Sequence, residues 1–443
     1  MAQFSDLPPE IVEQILLELD PLDVDSVSRT CKAYAFQIYD PSNHVFWRSL
    51  FLAQPVDDLR QCVDSLGRPI PPTSINWMKS LQRFIRARIV INRDIHCSPE
   101  EGMEIIKTLL GLATIMRPAH NADSDPLSLN PAWLVSHLND GYKFLDNPLW
   151  EPSEEELVLR AKFRTFYGLT FNDYRPRELT KSRALVYTMR NYRPINDYGP
   201  YLRDGSGRVD WQLLRSIHHV MSMHIVPPSP TDIDNDNGKT IDHGFTIYPM
   251  SIPFCQGIIP SGLDLDKEQD WAGITGLWQC SFCFVDHRDL LVYNNVDAAE
   301  REPLDASIFD NPSFAEIYRS IYVKLHITST EPDPLYPTRP RIHFAGEIDT
   351  ETQAEMKGWV GVIGTEGKEE NIRWHFQSGD PGNLVWSSEG VQLGSIRSTY
   401  GILGVWTTTD HDRHDPVGPF WMRKLGFDPE VDDEGDNLLN GHN

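Results

Sequence analysis

The sequence predicts an α+β multidomain protein, with three short N-terminal helices, a mainly helical middle and a C-terminal antiparallel β-barrel. Three observations carry that expectation. Residues 4–52 place apolar side chains at helical spacing and interrupt them with prolines. Residues 98–225 repeat the helical period behind recognisable start signals. From about Asp270 the period falls to two, in short β-prone runs separated by glycine-containing turns. The expected boundaries are 1–52, 53–265 and 266–426, with an acidic, disordered tail over 427–443.

The N-terminal segment begins Leu7-Pro8-Pro9-Glu10-Ile11. Proline is tolerated in a first helical turn, and Glu10 suits the positive end of the helix dipole. Ile11, Ile15, Leu16 and Leu19 form one apolar stripe, and Pro21 ends that helix. Asp23 can cap a second helix whose apolar face runs through Val24, Val27, Cys31, Tyr34 and Ile38. Asp40-Pro41-Ser42-Asn43 breaks the chain, and Val45, Phe46, Trp47, Leu50 and Phe51 make a third amphipathic piece. A segment of this size rarely buries so many apolar residues alone, so it packs on the rest of the chain or on another protein.

Leu7-Pro8-Pro9-Glu10-Ile11, the Leu19-Asp20-Pro21-Leu22-Asp23-Val24 joint, Cys31 and the closing Phe46-Trp47-Arg48 resemble an F-box. The resemblance implies docking to a Skp-type adaptor and, through it, to a cullin-RING ubiquitin ligase. It also implies that Leu7, Pro8, Pro9, Ile11, Ile15, Leu16, Leu19, Leu22, Val24, Val27, Cys31 and Trp47 serve adaptor binding.

Composition narrows the function classes. The formal net charge of −24 argues against a nucleic-acid partner, which needs clustered basic surface. No apolar run is long enough to span a bilayer, and the first residues lack the basic and apolar regions of an export signal. The 6 cysteines are then expected as reduced thiols in cytoplasm or nucleus.

Pro55 to Pro72 reads as a polar connector, and Ser74 as the cap of a helix running through Arg93. Lys79, Arg83, Arg86 and Arg93 give that helix a basic, solvated face. Ser98-Pro99-Glu100-Glu101 starts the next helix. Pro131 to Leu138, Ser153 to Tyr167 and Val209 to Ile225 follow, the last carrying His218, His219 and His224 without a metal-binding motif. The Pro, Asp and Asn residues from Pro227 to Gly238 mark a surface loop.

In the C-terminal half, Leu277 to Val285 and Leu290 to Tyr293 read as strands. In Ile321 to Thr328, apolar and polar residues alternate. Ile342 to Gly346, Met356 to Ile363, Ile372 to Phe376, Leu384 to Leu393, Ile402 to Thr407 and Phe420 to Leu425 complete the series. Gly364 to Gly367 reads as a hairpin turn. The series fits an eight- or nine-stranded closed barrel without intervening helices.

Asp270-Trp271-Ala272-Gly273, Gly276-Leu277-Trp278 and the Asp286-His287-Arg288-Asp289-Leu290-Leu291 hairpin resemble a family of fungal F-box proteins. So do Ile342 to Glu347, Ser388 to Gln392, Gly401 to Thr407 and Gly418-Pro419-Phe420-Trp421. The Gly-Leu-Trp opening is also similar to the lipocalin-like receptor barrel of certain F-box proteins. These resemblances imply a substrate-receptor domain.

Cys280 and Cys283 have the spacing of half a zinc site, but positions three apart on a strand face opposite sides. The Asp410 to Asp415 loop, with His411 and His414, reads as solvated. No phosphate loop, nucleophile elbow or Cys-His signature is present, and no cofactor is expected. The expectation is a non-catalytic adaptor that binds a protein substrate. The alternative is a barrel that holds a small apolar ligand and is coupled to an F-box. Ile372, Trp374 and Phe376 are expected inside the barrel, with Arg373, His375 and Gln377 outside. The substrate is expected at one barrel end, met by Arg288, Arg413, Trp278, Trp386 and Trp406.

Overall fold

The structure is a computed structural model that describes residues 7–40, 43–93, 97–121, 125–138, 142–146, 150–226, 248–295, 302–349, 354–364 and 369–425. The predicted acidic tail and the Pro227 to Gly238 loop lie outside the described residues, as does most of the Gly364 to Gly367 turn.

Four helices, not three, build the N-terminal segment: α1 Pro9–Leu17, α2 Pro21–Ser28, α3 Lys32–Tyr39 and α4 His44–Leu52. The single second helix expected from Val24 to Ile38 is interrupted because Cys31 is extended (φ −155°, ψ 161°) and serves as the N-cap of α3. The α2 cap is Asp20, whose carboxylate accepts from the Leu22 amide at 2.9 Å, not Asp23. Phe46, Trp47, Leu50 and Phe51 are buried and bind the segment to α5 (Trp77–Arg93), with the Phe51 and Trp77 rings 5.4 Å apart. Ser74 sits in a short 3-10 turn and does not cap α5; the Asn76 side chain accepts from the Lys79 amide at 3.0 Å instead.

The middle continues with α6 (Pro99–Thr114), α7 (Leu129–Leu138), α8 (Tyr142–Asp146), α9 (Glu154–Tyr167), α10 (Pro176–Val186) and α11 (Trp211–Ile225). Ser98 and Ser153 cap α6 and α9 through their hydroxyls, as their sequence context predicts. Of the predicted basic face of α5, Lys79 and Arg83 are exposed, Arg83 reaching Glu104 at 3.5 Å, and Arg86 pairs with Glu101; Arg88, outside that set, pairs with Asp20 at 2.8 Å. The predicted connector is built into the fold, because Leu66 packs into the barrel core and the Val63 amide donates to the Met116 carbonyl at 3.0 Å.

Eight strands form a closed meander: β1 (Gly276–Val285), β2 (Glu316–Glu331), β3 (Arg341–Ile348), β4 (Glu355–Ile363), β5 (Asn371–Asp380), β6 (Asn383–Leu393), β7 (Gly401–Thr408) and β8 (Gly418–Lys424). Every neighbouring pair is antiparallel, and β1 closes the barrel against β8. Leu290 to Tyr293 is not a strand, and Asp286 to Leu291 is not a hairpin. The Asp286 carboxylate accepts from the Arg288 amide at 2.8 Å and starts α12 (His287–Asn294), which puts a helix between β1 and β2. The short apolar run fitted either period, and the aspartate cap resolves it as helix.

The barrel is full. Ile372, Trp374 and Phe376 point inward and are buried, as strand alternation predicts. Trp374 lies between Trp278 (ring centroids 5.2 Å apart) and Phe344 (5.5 Å), and Phe376 meets Phe420 edge-on at 5.2 Å. Glycine makes this possible: a Cβ at Gly404 would approach Phe420 Cε1 to 2.6 Å and the Glu389 carbonyl to 2.1 Å. Leu265, Trp271, Ile274, Tyr336 and Ile396 close the end where β1 begins and β8 finishes. On the outer face, Val391, Leu393, Leu403, Val405 and Trp421 share one core with Leu214, Ile217, Val220 and Met221 of α11. Barrel and helices are therefore one packed body.

Candidate functional site

The N-terminal segment has two apolar faces. Val12, Leu16, Val24, Ile38 and Trp47 are buried in its own core. Leu16, Val24 and Trp47, predicted as adaptor contacts, thus hold the segment together and face inward. Burial on one side of α1 turns Ile11 and Ile15 outward, at 48% and 37% exposure. Pro8, Pro9 and Cys31 are also exposed, while Leu7, Leu19, Leu22 and Val27 are half-buried. Phe36 on α3 (74% exposed) and Val45 on α4 (59%) are also outward; neither is among the adaptor contacts expected from the sequence, which places Val45 on the apolar face of the third piece with Phe46 and Trp47. The Gln37 amide donates to the Pro9 carbonyl at 2.9 Å and so holds α3 beside the start of α1. Large apolar side chains standing outward on a rigid support are what a protein partner covers.

The second region is the barrel end where β1 finishes and β2 begins. Arg288, Arg413, Trp386 and Trp406 come to this end, although positions 288 and 413 are 125 apart in sequence. The ring of His287 lies 2.8 Å from the His414 carbonyl, which ties α12 to the loop between β7 and β8. Trp386 and Trp406 pack edge to face at 5.3 Å, and the Trp406 indole donates to the Cys283 carbonyl at 3.1 Å. Trp278 is elsewhere. It is buried near the opposite end, stacked into the core against Trp374.

Beside this end the loop 189–198 faces the β7–β8 loop across a cleft of about 550 Å³. Tyr198 and His411 stack across it, with centroids 3.7 Å apart and planes within 4°. Burial holds the His411 imidazole below its ordinary pKa. A larger cleft, about 820 Å³, adjoins along α10 and shares Arg190 with the first. Arg177, Lys181 and Arg203 line it. None of these was singled out from the sequence, because α10 was not recognised and the cleft joins residues from separate elements.

The histidines of α11 are structural. His218 Nε2 lies 2.9 Å from the Met250 carbonyl, and His219 sits between Ser182 Oγ and the Asp173 carbonyl, each at 2.8 Å. Burial lowers His218 to about 3 and His219 to about 4, so both are neutral. Asp173 beside them stays ionised, since Arg164 and Arg215 outweigh the burial that would raise it. Cys280 points into the barrel core and Cys283 towards Met221 on α11, on opposite faces of β1. Burial pushes the Cys280 thiol up to about 12 and Cys283 well above its ordinary value. Among the described residues no three His, Cys, Asp or Glu gather closely enough to hold a metal, and no helix is long and apolar enough to cross a membrane.

A family model described as F-box-like matches residues 4–53, which are the four helices with the outward apolar face. The N-terminal domain is therefore F-box-like. No curated protein and no solved structure matched the chain.

Proposed function

We propose that this chain is the substrate-recognition subunit of a cullin-RING ubiquitin ligase. The F-box-like segment docks a Skp-type adaptor and through it a cullin, and the helical and barrel body carries the protein target. The subunit is non-catalytic; the ligation chemistry belongs to its partners. One observation carries the reading: the segment matched as F-box-like keeps Ile11, Ile15, Phe36 and Val45 outward while its remaining apolar residues anchor it on α5. A partner bound there is held in fixed orientation to the barrel.

The aromatic packing inside the barrel supports a scaffold over a small-ligand container, since a ligand needs space that Trp374, Phe344, Phe376 and Phe420 fill. The target is then met outside the barrel, on its rim and on the clefts beside α10.

The test uses the full chain. Deleting residues 1–52 would uncover α5, so point changes on the outward face serve better. Purified wild type is expected to capture a purified Skp-type adaptor, and Ile11→Asp combined with Phe36→Asp to lose capture while melting like wild type. A charge placed in a desolvated contact costs several kcal/mol, about a hundredfold or more in affinity. Full capture by the folded double variant, or none by wild type, would overturn the assignment.

A further inference from the structure

The described chain carries a basic groove that the overall acidity makes conspicuous. The sequence has 64 Asp and Glu against 40 Lys and Arg, yet the larger cleft is lined by Arg177, Lys181, Arg190 and Arg203, with no carboxylate in its wall among the described residues. Leu185 and Ala306 add apolar floor. The groove continues at Arg190 into the second cleft beside the barrel end, whose lining includes Arg193 and Arg413 together with Asp412 and Asp415. Of the acids there, Asp415 is engaged by Thr408 and by the Asp412 amide at 2.6 Å.

The cations are set in place by the fold. Arg190 Nη1 donates to the Glu302 carbonyl at 2.8 Å, and Arg203 Nη1 to the Arg190 carbonyl at 3.3 Å. Lys181 pairs with Glu178 along the helix at 2.7 Å, while no carboxylate among the described residues pairs with Arg177 or Arg203. The backbone around the second cleft is strained: Asp197, Tyr198, Asn295 and His411 are non-glycine residues with φ of 50°, 57°, 40° and 53°. Left-handed non-glycine residues persist where surrounding structure holds them, and they gather at ligand-contacting positions.

Resting on the adaptor role proposed above, we propose that this groove binds an extended, acid-rich segment of the protein to be ubiquitinated. Arg177, Lys181, Arg190 and Arg203 receive its carboxylates, and Arg413 receives one further along at the barrel end. Guanidinium groups match carboxylate geometry through paired N–H donors. The small apolar floor accepts side chains between the acids. A long polyanion such as nucleic acid is disfavoured, because the net charge of −24 repels it beyond the groove.

Binding can be measured on the purified full chain without any ligase subunit. The probes are a fluorescein-labelled peptide of alternating glutamate and alanine, its lysine-for-glutamate counterpart, and a labelled oligothymidylate, each followed by anisotropy. The glutamate peptide is expected to bind, and the other two to bind at least about tenfold more weakly. Arg177→Glu with Lys181→Glu is expected to weaken the glutamate peptide about tenfold or more, and Arg413→Ala about threefold. Both α10 positions are exposed, and a glutamate in the first turn suits the helix dipole, so the variant keeps its fold. Lys79→Glu with Lys267→Glu changes net charge equally at exposed sites away from the groove and is expected to stay within about twofold of wild type. Equal loss in both charge-matched variants, no glutamate binding, or preference for the oligothymidylate would overturn the proposal. Adaptor capture, measured separately on the same variants, is expected to be unchanged. Its failure in wild type would remove the ligase role and leave the groove standing.

Discussion

Arg183 on α10, itself half-buried, grips the buried carboxylate of Glu316, the first residue of β2, at 2.7 Å, and the pair joins the helical body to the barrel. Glu316 also accepts from the Tyr187 hydroxyl at 2.7 Å and lies 2.9 Å from His224 Nε2, with only 2% of its side chain exposed. Burial alone would raise its pKa, but His224 and Arg183 hold it below the ordinary carboxylate value. Glu316→Ala leaves the half-buried Arg183, and Tyr187 and His224 beside it, without their shared acceptor, and a loss of about 2–4 kcal/mol is expected in urea unfolding. A loss below about 1 kcal/mol would mean that the joint is solvated.

Neighbouring residues of α1 are expected to behave oppositely. Leu16 is 1% exposed and Ile15 37%. Leu16→Ala should cost about 2–5 kcal/mol through the cavity it leaves, and Ile15→Ala no more than about 0.5 kcal/mol. Thermal melts of the two variants check this; equal shifts would contradict the division between inner and outer faces.

The barrel interior offers a cavity test. Trp374 is fully buried among aromatics and donates to Gln392 Oε1 at 3.1 Å. Trp374→Ala is expected to lose about 3–5 kcal/mol and to open a dry hole that takes up a small aromatic probe such as benzene. Wild type should take up none, by chemical-shift titration. Saturable uptake by wild type at the barrel residues would revive the small-ligand reading.

Acidification should loosen the α9–α11 core. His218 and His219 are lowered by burial to about 3 and about 4 from the ordinary 6.5. Their folded pKa values lie below the unfolded ones, so the stability they confer is present above about pH 6.5 and is lost as pH falls towards 4 and then 3. Between those limits the unfolded chain binds more protons at these residues than the folded chain, at up to about 1.4 kcal/mol per pH unit for each. Melting at pH 7 and pH 5 should differ less in His219→Asn than in wild type. An unchanged difference would show that His219 titrates normally.

Much of the molecule is legible locally. Helices α6, α9 and α11 begin at Ser98, Ser153 and Asp210, within a turn of their apolar stripes, and the barrel strands announce themselves by alternation. Such signals span a few residues and need no knowledge of neighbours. The sequence by itself therefore determined an F-box-like start, a helical middle, a barrel and the inward set Ile372, Trp374 and Phe376. Tertiary structure decided which face of α1 is core, since Ile15 and Leu16 are equally apolar and only the packing of α1 on α4 ranks them. It also decided that Leu290 to Tyr293 is helical, because four apolar residues fit both periods until Asp286 caps them. The basic groove belongs wholly to this second level. Arg177, Arg203 and Arg413 are far apart in sequence, and charge gathers into a site only when chain folding brings separate elements together.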